Sequence, residues 1–355
     1  MRVPEKIGGK MKNFRRIILC IAVLISMQSF VVAQIGYSIT DNNRDTTNLQ
    51  QQYYQFDLST GQGTLISDLT LNGQTIRREY EGLAGVGGVL YGIAEFDTEL
   101  CNTGSDPITG LAADVRIFRA AGTYPLANGI TGPVGPQIGE LCTPAGFTEA
   151  AAGYNPIDGF IYAIAADDTL PASAPRSRIY RVSPTTGLST QIGPAAGITL
   201  TAGSGGDQNP YFDGFTILPD GRAYGSEARF SNNPTQSTDP AVADNAGLYR
   251  IFLTGPNAGR ATFTKYLLPT DVNRDTGLAN NGFTIYLLLE DGRVYTTTAE
   301  AGVATLAVPA VFPAGNPAGS NFLSTPGCLR PIAFPGQFCG DLEGFDIPNN
   351  GNGLR

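Results

Sequence analysis

Asp213-Gly-Phe-Thr-Ile-Leu-Pro-Asp-Gly-Arg-Ala-Tyr-Gly-Ser226 is the stretch that decides the fold. An apolar run comes first, then Pro-Asp-Gly, then a second run with an aromatic residue near its start. Pro presets one turn position and Gly supplies φ > 0, so the stretch reads as strand, tight turn, strand. Asn281-Gly-Phe-Thr-Ile-Tyr-Leu-Leu-Leu-Glu-Asp-Gly-Arg-Val-Tyr295 is a close copy. Glu81-Gly-Leu-Ala-Gly-Val-Gly-Gly-Val-Leu-Tyr-Gly92 and Glu149-Ala-Ala-Ala-Gly-Tyr-Asn-Pro-Ile-Asp-Gly-Phe-Ile-Tyr162 are looser ones. A strand–turn–strand unit that recurs with no helical period between copies signals a repeat architecture.

A second hairpin follows three of these copies, while the stretch after Tyr295 lacks its Thr-Gly signature and 303–340 is rich in Pro, Gly and Ala. Val115-Arg-Ile-Phe-Arg119 leads to an apolar run at 133–138. Arg178-Ile-Tyr-Arg-Val-Ser-Pro-Thr-Thr-Gly187 leads to one at 188–192, and Leu248-Tyr-Arg-Ile-Phe-Leu-Thr-Gly-Pro-Asn-Ala-Gly259 to one at 262–267. The unit is therefore four antiparallel strands, A to D, and such units in tandem describe an all-β protein, a β-propeller. Tyr37, Tyr91, Tyr162, Tyr224 and Tyr295 mark strand B. Asp341-Leu-Glu-Gly-Phe-Asp-Ile-Pro348 reads as a strand A with no B after it, while residues 35–69 supply B, C and D with no A before them. The expectation is five blades of four strands over residues 34–348, the ring closed by both termini so that no sheet edge is left open. A polar tail occupies 349–355.

These units resemble secreted bacterial β-propeller repeat proteins built on Leu-Tyr-Gly and Leu-Tyr-Arg-[Ile/Val]-x-x-x-Thr-Gly. The matching residues are Leu90-Tyr-Gly92, Ile179-Tyr-Arg-Val-Ser-Pro-Thr-Thr-Gly187 and Leu248-Tyr-Arg-Ile251. The resemblance covers most of 35–348 and implies the architecture. For function it implies only an analogy, a binding or adhesion module of a surface protein.

Met11-Lys-Asn-Phe-Arg-Arg16, the apolar run 17–30 and Val31-Val-Ala33 follow the order of a secretory signal peptide, so residues 1–33 are expected to be cleaved. The run is short and holds Ser26, Gln28 and Ser29, which argues against a membrane span. Cleavage takes six of 23 basic residues and one of 31 acidic ones, leaving 17 against 30, a net charge of −13. Nucleic acid and anionic membranes need clustered positive charge, so neither is an expected partner. The expected location is secreted, periplasmic or on the cell surface, as a monomer.

The chain has no His, which excludes Ser-His-Asp and Cys-His catalysis and His-ligated zinc. It has no Trp, the best stacking platform for sugars and cations. Four cysteines remain after cleavage, Cys101, Cys142, Cys328 and Cys339, and an even number in an exported chain favours disulfides. Three connectivities are possible. Cys101 lies in a B–C loop and Cys142 in the next D–A link, whereas Cys328 and Cys339 share the last D–A link. Cys101–Cys142 and Cys328–Cys339 are the expected pairs.

The A–B turns are short, and the long connections (40–52, 95–114, 167–177, 193–211, 227–247, 269–280 and 314–340) all fall in B–C or D–A positions. In a four-stranded meander both classes emerge on one face, where function usually sits. Two of these loops repeat Asp-x-Asn-x-Asp: Asp41, Asn43, Asp45 and Asp271, Asn273, Asp275. Alternating oxygen ligands suit Ca²⁺, but the Gly and Glu of an EF-hand loop are missing, which favours the other reading, a turn capped by its own Asx side chains. The residue before the strand A glycine is Glu81, Glu149 (before Ala150), Asp213, Asn281 or Glu343, a candidate acidic ring at one mouth of the channel. Clustered carboxylates raise one another's pKa, bind a cation, or serve as a glycosidase acid pair, or they merely bond nearby amides. The expected function is a non-catalytic binding or adhesion module acting through the long-loop face on an extracellular ligand or protein. The alternative is a five-bladed carboxylate-dependent glycoside hydrolase.

Overall fold

The computed structural model describes residues 35–41, 52–57, 62–68, 70–71, 74–75, 80–87, 89–94, 115–123, 137–141, 149–167, 170–171, 173–206, 208–227, 247–266, 277–288, 294–299 and 341–347. In chain order the strands are β1 (Ile35–Asp41), β2 (Gln52–Asp57), β3 (Gln62–Asp68), and a two-residue pair β4 (Thr70–Leu71) and β5 (Gln74–Thr75). Next come β6 (Tyr80–Val86), β7 (Val89–Ala94), β8 (Val115–Thr123) and β9 (Gln137–Leu141). β10 (Glu149–Asn155), β11 (Phe160–Ala166), β12 (Ser177–Val182), β13 (Ser189–Ile192) and β14 (Thr199–Leu200) follow. The rest are β15 (Gly214–Ile217), β16 (Ala223–Glu227), β17 (Gly247–Ile251), β18 (Arg260–Tyr266), β19 (Gly277–Asn281), β20 (Thr284–Leu288), β21 (Val294–Thr298) and β22 (Asp341–Asp346).

These strands form antiparallel meanders: β6-β7-β8-β9, β10-β11-β12-β13, β15-β16-β17-β18 and β19-β20-β21. The first sheet, β22-β1-β2-β3, takes its A strand from the end of the chain, and β22 runs antiparallel to β1. One feature was not legible in the repeats. β14, from the link between the third and fourth sheets, adds a parallel fifth strand beside β18.

The sheets stack face to face through both of their surfaces. Ala84, Tyr91, Ala150, Ala152, Ile161 and Tyr180 fill the space between the second and third sheets. Ala151, Tyr162, Ile164, Phe212, Phe215 and Tyr249 fill that between the third and fourth. Leu218, Tyr224, Leu248, Leu278 and Ile285 continue into the fifth. Neighbouring residues of β10 and β11 thus face different partners, which is why Phe160-Ile-Tyr-Ala-Ile-Ala-Ala166 is apolar throughout and buried from Ile161 on, with no alternation. Burying each such Ile, Phe or Tyr stabilises by roughly 1.5–3 kcal/mol.

The innermost strands lie against one another in sequence: β22 on β6, β6 on β10, β10 on β15, β15 on β19, and β19 on β22. At the last contact a methyl group on Gly277 would stand 2.6 Å from Phe345 Cβ, so only glycine permits it.

The fifth sheet corrects the sequence threading. Its A strand is β19, not the stretch beginning at Asn281-Gly-Phe-Thr-Ile. Asn281 closes β19 opposite Thr284, and Gly282 has φ +67°. Gly282-Phe283 is a two-residue hairpin turn with Gly at its first position, and the letters shared with Asp213-Gly-Phe-Thr-Ile misled. Strand B is β20, with Tyr286 as its marker, and Tyr295 belongs to the third strand, β21. The B tyrosines face Asp346, Ala84, Gly153, Thr216 and Ala279.

Candidate functional site

The meanders place A–B and B–C connections at opposite ends, and four of the five B–C connections are longer than any A–B connection. A–B connections span 87–88, 156–159, 218–222 and 282–283. B–C connections span 42–51, 95–114, 167–176, 228–246 and the short 289–293, and they leave the sheets at the end where the A strands begin. The candidate acidic positions divide accordingly. Counting back from the residue that faces each B tyrosine, Glu81, Asp213 and Glu343 fall three residues earlier, at the long-loop end. Glu81 lies in a bulge, between the Tyr80↔Ala94 and Gly82↔Ile93 pairs. Glu149 pairs with Ala166 and falls four residues before Gly153, one step out of that register, and in a strand one step turns a side chain to the other face. Asn281 lies at the opposite, turn end and is exposed.

Asp213 is buried, and its amide donates to Ser226 O at 3.2 Å. The side chains of Glu81, Glu149 and Glu343 fall outside the described residues, so their convergence is not part of the described geometry. The same holds for Asn43, Asp45, Asp271, Asn273, Asp275 and all four cysteines, and for the side chain of Asp41, whose backbone pairs with Asp341. Among the described residues no group of three or more Cys, Asp or Glu is placed to hold a metal.

At the long-loop end of the third and fourth sheets the structure builds a buried polar brace. Glu227, the last residue of β16, meets Arg176 Nη2 at 3.3 Å with both side chains almost fully enclosed. Its Oε1 also accepts Tyr211 N–H at 3.3 Å, and its Oε2 accepts the Tyr249 hydroxyl at 2.6 Å. Arg176 Nε donates to Asn209 O at 3.1 Å, and its guanidinium lies 5.6 Å from the Tyr211 ring centre. Next to it Ser177 Oγ donates to Pro210 O and accepts Phe212 N–H. Both Glu227 oxygens are engaged and the side chain is almost fully enclosed, so this carboxylate fixes the link 193–213 onto the fourth sheet. No motif announced it. Arg176 and Glu227 border different B–C loops, and only the tertiary fold brings them together.

Two further polar contacts join innermost strands. Asn280 Nδ2 donates to Thr216 Oγ1 at 2.7 Å and Ile217 O at 2.9 Å, from β19 to β15. The Asp346 carboxyl, on β22, accepts the Gly85 N–H of β6, and burial pushes its pKa up to about 7. At the outer side Lys265 donates to Thr297 Oγ1 at 2.8 Å, linking β18 to β21, and burial lowers its pKa.

Strands, registers and stacked sheets define the class: an all-β protein of antiparallel meanders, most of them four-stranded. No protein-family model matches the chain, and no curated protein does. Among solved structures it is similar to the PQQ-bound aldose sugar dehydrogenase of Streptomyces coelicolor, at 14% identity over 72% of this chain and 74% of that one, TM-score 0.37. It is similar to an auxiliary nutrient binding protein of Bacteroides ovatus, at 13% identity over 76% of this chain and 56% of that one, TM-score 0.35. It is also similar to a GH43 glycoside hydrolase with engineered endo-xylanase and exo-arabinofuranosidase activity, at 11% identity over 65% of this chain and 42% of that one, TM-score 0.40.

Proposed function

We propose that the chain is an exported five-bladed β-propeller, closed by β22, that binds an extracellular ligand or protein through its long-loop face without catalysis. The cyclic order of contacts among β22, β6, β10, β15 and β19 supports five blades. The observation that carries the binding reading is the asymmetry of the first four sheets: A–B turns of two to five residues at one end, and B–C spans of 42–51, 95–114, 167–176 and 228–246 at the other. Long loops on a rigid scaffold are where recognition concentrates. Glu227 supports the non-catalytic reading, because this carboxylate at the long-loop end is spent on Arg176, Tyr211 and Tyr249. Export, the pairs Cys101–Cys142 and Cys328–Cys339, and calcium on the two Asp-x-Asn-x-Asp loops belong to the same proposal. Disulfide mapping and metal content of the exported protein check them.

The test is an array of bacterial surface glycans and extracellular matrix proteins, probed with the mature chain and with a variant whose residues 228–246 are replaced by a short Gly-Ser link. The expected result is retention by the mature chain and loss by the variant, with no turnover of an aryl glycoside panel. Equal retention by both proteins overturns the assignment of the face. Turnover of any aryl glycoside overturns the non-catalytic reading in favour of the glycoside hydrolase.

A further inference from the structure

Asp346 is the last residue of β22, the strand that pairs the end of the described chain with β1 near its start. It stands on the seam between the first and second sheets. Its carboxyl accepts hydrogen bonds from Gly85 N–H of β6 and from Ile347 N–H, the residue just past β22. Its Oδ2 is closed off from solvent and takes no hydrogen bond from any described residue.

The strands packed against β22 are β1, β6, β10 and β19. Their titratable groups are Tyr37 and Asp41 on β1, Tyr80 and Glu81 on β6, and Glu149 and Tyr154 on β10, while β19 has none. β22 itself adds Asp341 and Glu343. All are acids or phenols, and no Lys or Arg occurs on any of the five strands. Tyr37, directly opposite Asp346 in the register, is held neutral by burial, its pKa pushed up to about 12. A charged Asp346 therefore has two backbone amides to stabilise it and no cation on these strands, whereas a protonated one carries no charge into the seam.

We propose that Asp346 is a proton-operated latch on the seam between the two sheets, holding β22 closed against β6 when protonated and loosening it when ionised. The inference stands on the seam itself and does not depend on the binding reading. The sign follows from linkage. A carboxyl that ionises near pH 7 when closed and near pH 4 when released binds its proton more tightly in the closed state. The latch is at full strength below pH 4, weakens as pH rises between about 4 and 7, and changes no further above that. In that window release of β22 becomes up to about tenfold more frequent per pH unit.

The experiment is hydrogen exchange by mass spectrometry on the mature chain from pH 4.5 to 8.5. Protection of the peptide covering 341–347 is corrected for the intrinsic pH dependence of exchange. The expected result is protection that falls as pH rises to about 7 and then levels, with Asp346→Asn flat over the same range. Equal slopes in the two proteins, or a flat wild-type profile, overturn the latch. Should Asp346→Asn fail to fold, ¹³C NMR of the wild-type aspartate carboxyls decides. A resonance titrating near pH 7 that perturbs the Gly85 amide supports the latch, and its absence overturns it.

Discussion

Glu227 and Arg176 are opposite charges withdrawn from water, each held by more than the other. Removing one partner of such a pair strands a buried charge and costs about 3–5 kcal/mol, whereas exposed pairs are worth under about 1 kcal/mol. Glu227→Gln therefore leaves Arg176 uncompensated beside Tyr211 and is expected to destabilise by about 3 kcal/mol in a denaturant melt. Tyr249→Phe keeps the ring between Phe212 and Phe263 but removes one donor to Oε2, and should cost less, about 1–3 kcal/mol. Equal, near-zero effects would mean that the brace is solvated in solution. None of this was readable from the letters, because Arg176 and Glu227 sit 51 residues apart in unrelated local contexts.

At the scale of the element, β19 shows how closely the inner strands approach. Gly277 faces Phe345 of β22, and Gly214 faces Leu278 of β19, with backbone on at least one side of each contact. Gly277→Ala inserts a methyl group where backbone and Cβ already meet, and overpacking of this kind costs about 1–3 kcal/mol. A variant that melts like the wild type would show that β19 and β22 separate without penalty. The strand–turn–strand grammar was legible at this scale. Pro-Asp-Gly and Thr-Thr-Gly mark turns by their φ requirements, and the aromatic B strands mark the registers. The error in the fifth sheet had a local cause. Asn281-Gly-Phe-Thr-Ile repeats Asp213-Gly-Phe-Thr-Ile by letter, yet Gly282-Phe283 inside it forms the hairpin turn, and the strand starts four residues earlier at Gly277. With Tyr286 in place of Tyr295 the last two intervals between B tyrosines both become 62 residues, by subtraction along 162, 224 and 286.

For the whole molecule the decisive strand is β22. Without it β1 would present an open edge beside a sheet with apolar neighbours on both faces, the setting for edge-to-edge association. Deletion of 341–355 is expected to give a protein that aggregates during refolding and lacks a cooperative melt near that of the full chain, as read by light scattering and calorimetry. A monodisperse truncated protein with an unchanged melt would remove β22 from the fold's essential parts. The sequence by itself determined the hairpin unit, its repetition, the joining of the chain's two ends in one sheet, and the end at which the long connections emerge. All of these follow from turn chemistry and strand period, which act over a few residues. Only the tertiary structure decided the brace at Glu227, the added strand β14, the register of the fifth sheet and the seam at Asp346. Each depends on which backbone meets which across a sheet-to-sheet contact, and burial there sets whether a carboxylate is braced by an arginine or left to hold a proton.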